Sequence, residues 1–134
     1  MAEFTVPSPN TICWRELATR DLPAAIEFYS KLFGWTLEQS KMAAGMDYKE
    51  IIMDGVARGG MMQIGPEWGP EPPPSFWQSY IAVEDADATV EKIKSNGGTV
   101  KVGPFDAPGV GRMAMVADPS GAGFAIIQFT GPAA

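Results

Sequence analysis

The chain is built twice over. A strand-like stretch from Thr11 to Ala18 leads to Asp21, whose carboxylate suits a helix N-cap. Leu22, Ala25, Ile26, Tyr29, Leu32 and Phe33 then recur at helical spacing, which predicts one apolar helix face ending at Gly34. Lys31 lies in the last turn, where the helix dipole favours a cation. Three strands are predicted next: Trp35 to Gln39, Tyr48 to Met53 and Val56 to Ile64. Asp54-Gly55 is a hairpin signal, because both residues tolerate positive φ. At an offset of 64 the order recurs. Tyr80 to Val83 reads as a strand, Asp85 as a cap, and Ala86, Val90 and Ile93 as a helix face. Thr99 to Val102, Arg112 to Ala117 and Phe124 to Phe129 read as strands. Ala24-Ala25-Ile26-Glu27 aligns with Ala88-Thr89-Val90-Glu91, and Gly34 with Gly98. At an offset of 65, Gly60-Met61-Met62-Gln63 aligns with Ala125-Ile126-Ile127-Gln128. A repeated βαβββ unit predicts a single α+β domain. Its parts are a first unit at 11–64, a connector at 65–76 and a second unit at 77–130.

The connector GPEWGPEPPPSF holds five prolines, so it reads as an extended linker. Trp68 within it either tethers the linker to the surface or closes over a cavity. The segment from Phe4 to Pro9 reads as a short arm, and the final GPAA as a frayed end.

Composition then narrows the chemistry. The 134 residues include no histidine. That removes the commonest metal ligand, the commonest general base and the Ser-His and Cys-His pairs. A net charge of −6 argues against a sequence-independent grip on nucleic acid. One cysteine, Cys13, forms no internal disulfide and fits a reducing compartment. No cationic stretch followed by an apolar core opens the chain, and no apolar run reaches a membrane span. A cytoplasmic protein without membrane or nucleic-acid partners is expected.

Asp21-Leu22 through Phe28-Tyr29, and Leu32-Phe33-Gly34-Trp35, form the first of three motif sets. The second is Tyr80 through Thr89. The third joins Gly97-Gly98, Gly103-Pro104, Pro108-Gly109-Val110-Gly111-Arg112 and Asp118-Pro119-Ser120-Gly121-Ala122. In this order the chain resembles the vicinal oxygen chelate superfamily of glyoxalase I, extradiol dioxygenases and bleomycin resistance proteins. The resemblance covers nearly everything after residue 10. It implies two βαβββ units with curved mixed sheets around a cavity, and it implies a homodimer. Metal-dependent members take His and Glu ligands from four strand positions. Spacing from Asp21 and Val83 carries two of these onto Trp14 and Gln78. Counting from the Asp-Pro-x-Gly turn carries another onto Ala125, and the remaining one falls near Gln63. Trp14 and Ala125 cannot ligate, and neutral amides hold a catalytic metal poorly. No metal or other cofactor is therefore expected, although carboxylates from elsewhere, Glu16 first among them, could build a different divalent site.

Strand parity places Glu16 and Ala18 on the cavity side with Trp14, and Tyr80 and Ala82 with Gln78. Cys13, Arg15, Leu17, Ile81 and Val83 fall on the other side. A carboxylate among Trp14 and Tyr80 would be partly desolvated, raising its pKa toward acid–base work. Glu16 is thus a candidate catalytic group, a ligand contact, or a structural partner of Arg15, Arg112 or a backbone donor. Arg112 follows a glycine-rich loop and suits a clamp on an anionic ligand, or an ion pair with Glu16 or a linker glutamate. Gly59-Gly60 reads as a bulge or bend. Met53, Met61, Met62, Met113 and Met115 fall on predicted strands, filling a core or lining a cavity of adaptable shape. Trp35 and Trp77 suit packing or a dimer interface. The expected function is binding of a small, partly aromatic or hydrophobic molecule, with Trp14, Glu16, Gln63, Gln78, Tyr80 and Arg112 as contacts. The alternative is a lyase, isomerase or dioxygenase-type enzyme with an atypical site at Glu16, Gln63 and Gln78. An interaction protein with a vestigial cavity fits less well, since such a cavity would fill with apolar residues.

Overall fold

The structure, a computed structural model, describes residues 6–41 and 47–130. Residues 4 and 5 of the expected arm and the terminal GPAA lie outside the described residues. The elements run β1 (Ile12–Thr19), α1 (Leu22–Phe33), β2 (Thr36–Gln39), β3 (Tyr48–Met53), β4 (Val56–Gln63), β5 (Phe76–Ala82), α2 (Ala86–Ser95), β6 (Thr99–Ala107), β7 (Gly111–Ala117) and β8 (Gly123–Phe129). The expected α+β fold and the order βαβββ, twice, are observed. The chain divides into two compact units. One is Trp14–Gln78, and the other joins the residues before Trp14 to those from Ser79 on.

In the Trp14–Gln78 unit the strand order is β2-β3-β4-β1, antiparallel except for the parallel β4–β1 pair. Asp21 caps α1 by accepting from the Ala24 N–H, and Gly34 stops it at φ 72°. That left-handed conformation suits a residue without a Cβ. Leu17, Leu22, Ile51 and Met61 form a core between strands and helix, with Ile26, Tyr29, Trp35 and Leu37 packed around it. Burying each such side chain contributes roughly 1.5–3 kcal/mol. Asp54 (φ 50°) and Gly55 (φ 77°) make the β3–β4 turn, as their tolerance of positive φ predicts. The β3–β4 register slips between Ile51 and Ile52, opposite Gly59 and Ala57, so the bulge falls at Arg58 beside the glycine pair.

Two expectations change here. Leu32 and Phe33, which share the helical periodicity of the core face, are 58% and 57% exposed. The apolar stripe of α1 is wider than the strands beneath it. The proline-rich connector is also not free. A short 3-10 turn spans Pro66–Trp68. Arg20 donates through Nε to the Pro73 carbonyl (2.9 Å) and through Nη2 to that of Pro72 (2.6 Å). Trp68 packs edge-on against Phe76 (centroids 6.1 Å apart), which supports its tethering role.

In the other unit the order is β5-β8-β7-β6, with β5–β8 parallel and the rest antiparallel. Asp85 caps α2 through the Ala88 N–H. Ala86, Val90, Ala114, Val116 and Ile126 form the core. β6 runs five residues past the expected Val102, with register shifts on both sides of that residue. The repeat is reproduced in the registers. Glu16 lies beside Gly60 and Leu17 beside Met61 in one unit; Tyr80 lies beside Ala125 and Ile81 beside Ile126 in the other.

Candidate functional site

Because Leu17, Ile51 and Met61 point at α1, their strand neighbours point to the opposite face. That face carries Trp14, Glu16 and Ala18 on β1, Gly60 and Met62 on β4, and Tyr48 and Glu50 on β3. Across the strands Glu16, Gly60 and Glu50 form one row. Glu16 is only 6% exposed. The Tyr48 hydroxyl donates to Glu16 Oε1 at 2.8 Å and accepts from Trp14 Nε1 at 2.9 Å. Glu50 Oε2 accepts from the buried Ser40 hydroxyl at 2.8 Å.

Gly60 makes this arrangement possible. A Cβ built on it would overlap the Tyr48 phenol oxygen, Cζ and Cε1. The phenol therefore occupies the place of a residue-60 side chain. By the repeat, residue 60 corresponds to Ala125, one of the positions the resemblance assigns to a metal ligand. The corresponding row in the other unit is Tyr80–Ala125–Met115, where Tyr80 is 5% exposed. The two rows differ in chemistry: one holds two carboxylates, the other none.

The remaining expected residues are used differently. Gln63 falls on the helix side of β4. Its Oε1 accepts from the Leu22 N–H at 2.8 Å, and its Nε2 donates to the carbonyls of Arg20 (2.7 Å) and Ile64 (3.2 Å). It seals the β1–α1 turn, where a helix N-terminus leaves N–H groups unpaired. Gln128, its repeat counterpart, accepts from the Ala86 N–H at 2.8 Å. Arg112 pairs with Asp87 (Nε, 2.9 Å) and Asp106 (Nη1, 3.0 Å), not with Glu16 or a linker glutamate. The hydrogen bonds its guanidinium donates to the Asp87 and Asp106 carboxylates hold its pKa above the ordinary arginine value. Gln78 is half-buried on β5, on the strand face of Tyr80. The sequence reading therefore brings Trp14 and Glu16 together and misses Tyr48, the group that joins them. The missed signal is an aromatic residue diagonal to a glycine on a neighbouring strand.

Among the described residues, no group of three or more His, Cys, Asp or Glu side chains could hold a metal ion. Trp14 and Ala125 carry no donor suited to one. The residues present do not fit the metal centre that the resemblance implies. No helix among the described residues is long and apolar enough to cross a membrane. A cleft of about 370 Å³ lies in the Ser79-containing unit, between Val6–Pro9, Ala82–Glu84, Gln128 and Phe129, and includes none of the six expected contact residues. Asp118, in the Asp-Pro-Ser-Gly turn, accepts from the Ser120 hydroxyl and the Ser120 and Ala122 N–H groups.

Comparison with known proteins bears on this geometry. The chain is 36% identical over 128 residues to CFP32 of Mycobacterium tuberculosis, provisionally named a glyoxylase, covering 95% of this chain and 48% of that protein. It is 36% identical over 129 residues to the anthracycline biosynthesis protein DnrV of Streptomyces peucetius, covering 89% of this chain and 47% of that one. The chain thus spans about half the length of the curated relatives it matches. Among solved structures it is similar in fold to methylmalonyl-CoA epimerase of Streptomyces coelicolor, with TM-score 0.60 and 18% identity over 92% of this chain and 99% of that one. The epimerase of Mycobacterium tuberculosis aligns with TM-score 0.55 and 19% identity, over all of this chain and 94% of that one. The family profile of the Glyoxalase/Bleomycin resistance protein/Dioxygenase superfamily matches residues 11–126. With its doubled βαβββ order reproduced in strand registers and its sequence matched over most of its length, this chain belongs to that superfamily.

Proposed function

We propose that this protein binds a small, partly aromatic molecule on the strand face of Trp14, Glu16 and Tyr48, without a metal. One observation carries the reading: a carboxyl group only 6% exposed, held by a tyrosine hydroxyl that a tryptophan N–H in turn holds. Burying a carboxyl costs free energy unless it is hydrogen-bonded, and here two aromatic residues supply the order and flat surface for stacking. An aromatic ligand also accords with relatives named for anthracycline biosynthesis. In this reading the protein works in the cytoplasm as a homodimer and takes no nucleic-acid or membrane partner. A thermal-shift screen of aromatic amines and neutral aromatics tests it. Stabilisation by one of them, lost on Glu16→Ala or Trp14→Ala, is expected, and a flat screen would sink the reading.

A second reading is an atypical enzyme of the lyase, isomerase or dioxygenase type. The Tyr48–Glu16 hydrogen bond favours it, since a phenol and a carboxyl in contact can pass a proton. Gln63 is engaged at the helix cap, so this site reduces to Glu16, Tyr48 and Gln78. Turnover of a screened ligand that Tyr48→Phe abolishes would establish it, whereas unchanged ligand recovered after incubation would count against it.

A further inference from the structure

The row that holds Glu16 and Glu50 extends one strand further. Glu38 on β2 stands directly opposite Glu50 on β3, Glu50 opposite Gly60 on β4, and Gly60 beside Glu16 on β1. Leu37 packs on the α1 side, so Glu38 points to the face of Trp14, Glu16, Tyr48 and Glu50. Like charges directly opposite each other on paired strands cost stability, whereas an opposite charge there would contribute it. Yet the basic side chains of these strands are turned away or displaced. Arg15 and Lys49 alternate onto the α1 side, beside Gly59 and Met61, and Arg58 stands at the bulge. Among the described residues neither Glu38 nor Glu50 forms an ion pair. Glu50 is half-buried and held in place, because the buried Ser40 hydroxyl donates to its Oε2 at 2.8 Å.

We propose that this strand face selects a cationic aromatic ligand, an arylalkylamine, and that Glu50 reads its positive charge. The inference rests on the aromatic-binding reading above and adds the ligand's charge. A local rule of sheet stability broken without a compensating ion pair is the mark of a position shaped for function. Spacing sets the kind of cation. Three strand spacings of about 4.8 Å separate Glu16 from Glu38, which suits an extended organic cation rather than one metal ion. Tyr48 and Glu50 lie two residues apart on β3, about 7 Å along the strand. An ammonium two carbons from an aromatic ring spans that gap. The rings of Trp14 and Tyr48 add a cation–π attraction, and a ligand carboxylate would meet its own charge on this face and be rejected.

Isothermal calorimetry at low salt tests this, with tryptamine, its neutral isostere tryptophol and the anion indole-3-propionate. Wild-type protein is expected to bind tryptamine at least about fivefold more tightly than tryptophol, and the propionate not at all. Glu50→Gln retains an acceptor for Ser40 and is expected to bring amine and alcohol within about twofold. Glu38→Gln, exposed on the edge strand β2, is the variant least able to disturb folding, and is expected to lose part of the preference. Glu91→Gln removes an equal charge from the surface of α2 and is expected to keep the preference in full. Equal binding of tryptamine and tryptophol by the wild type overturns the inference and leaves the aromatic reading standing. A preference that survives both Glu50→Gln and Glu38→Gln, or that Glu91→Gln lowers equally, overturns the role of this row. Tryptamine that does not bind overturns the inference too, and the aromatic reading then stands or falls on the thermal-shift screen alone.

Discussion

Gly60→Ala perturbs the Trp14–Tyr48–Glu16 chain without touching any of its members. The new Cβ would overlap the Tyr48 phenol, so the ring must swing off the strand face. Two hydrogen bonds go with it. The bond from Trp14 Nε1 is neutral and contributes about 0.5–1.5 kcal/mol; the bond to the Glu16 carboxyl contributes about 1.5–3 kcal/mol if that group is ionised. Against this, replacing a strand glycine recovers about 0.5–1 kcal/mol. The expected net loss is about 1–4 kcal/mol, read from urea denaturation followed by tryptophan fluorescence. The same substitution in a Tyr48→Ala background meets no ring, and its expected effect is neutral or slightly stabilising. The glycine gain is common to both backgrounds, so the coupling between the two sites should be about 2–4.5 kcal/mol, the two hydrogen bonds together. Equal costs in the two backgrounds would refute the claim that Gly60 exists to seat Tyr48.

Three further outcomes follow from the geometry. Gln63→Ala removes three hydrogen bonds at the α1 N-terminus and should cost about 1–3 kcal/mol, more than Gln128→Ala at the start of α2; calorimetric melts that rank them the other way would contradict the capping role. Arg112→Gln loses two exposed ion pairs and should lower the melting temperature only slightly, by an amount that shrinks in high salt; a large, salt-independent loss would mark a different role. The Asp118 carboxyl is held below its ordinary 3.8, chiefly by the Ser120 hydroxyl and the Ala122 N–H. Its folded-state pKa lies below the unfolded one, so its contribution to stability is present above pH 3.8 and fades as pH falls through the folded value. An NMR titration placing Asp118 at or above 3.8 would contradict this.

The fold was legible because the repeat is a pattern of periods, and periods survive in one sequence. Asp21 and Asp85 mark both helix starts, Asp54-Gly55 marks a hairpin, and the aligned quartets mark both β4 and β8. The site was less legible for three physical reasons. A side-chain period of two turns a one-residue uncertainty into the wrong face, and this is what happened to Gln63. Tyr48 reaches Glu16 only by leaning across Gly60, a diagonal contact that depends on a register no local motif specifies. Arg112 takes Asp87 and Asp106 from α2 and β6, partners set by packing rather than spacing. The face of α1 shows a fourth limit. Leu32 and Phe33 satisfy the core periodicity, but whether a stripe is covered depends on the width of the strands beneath it.

Isothermal calorimetry with the most stabilising aromatic from the thermal-shift screen tests the binding face most directly. Wild-type protein, Glu16→Gln, Trp14→Ala and the exposed control Val102→Glu would be titrated side by side. Saturable binding by the wild type and the control, weakened at least tenfold in both face variants, is the predicted result. Equal affinity in all four proteins would place the ligand elsewhere and contradict the account.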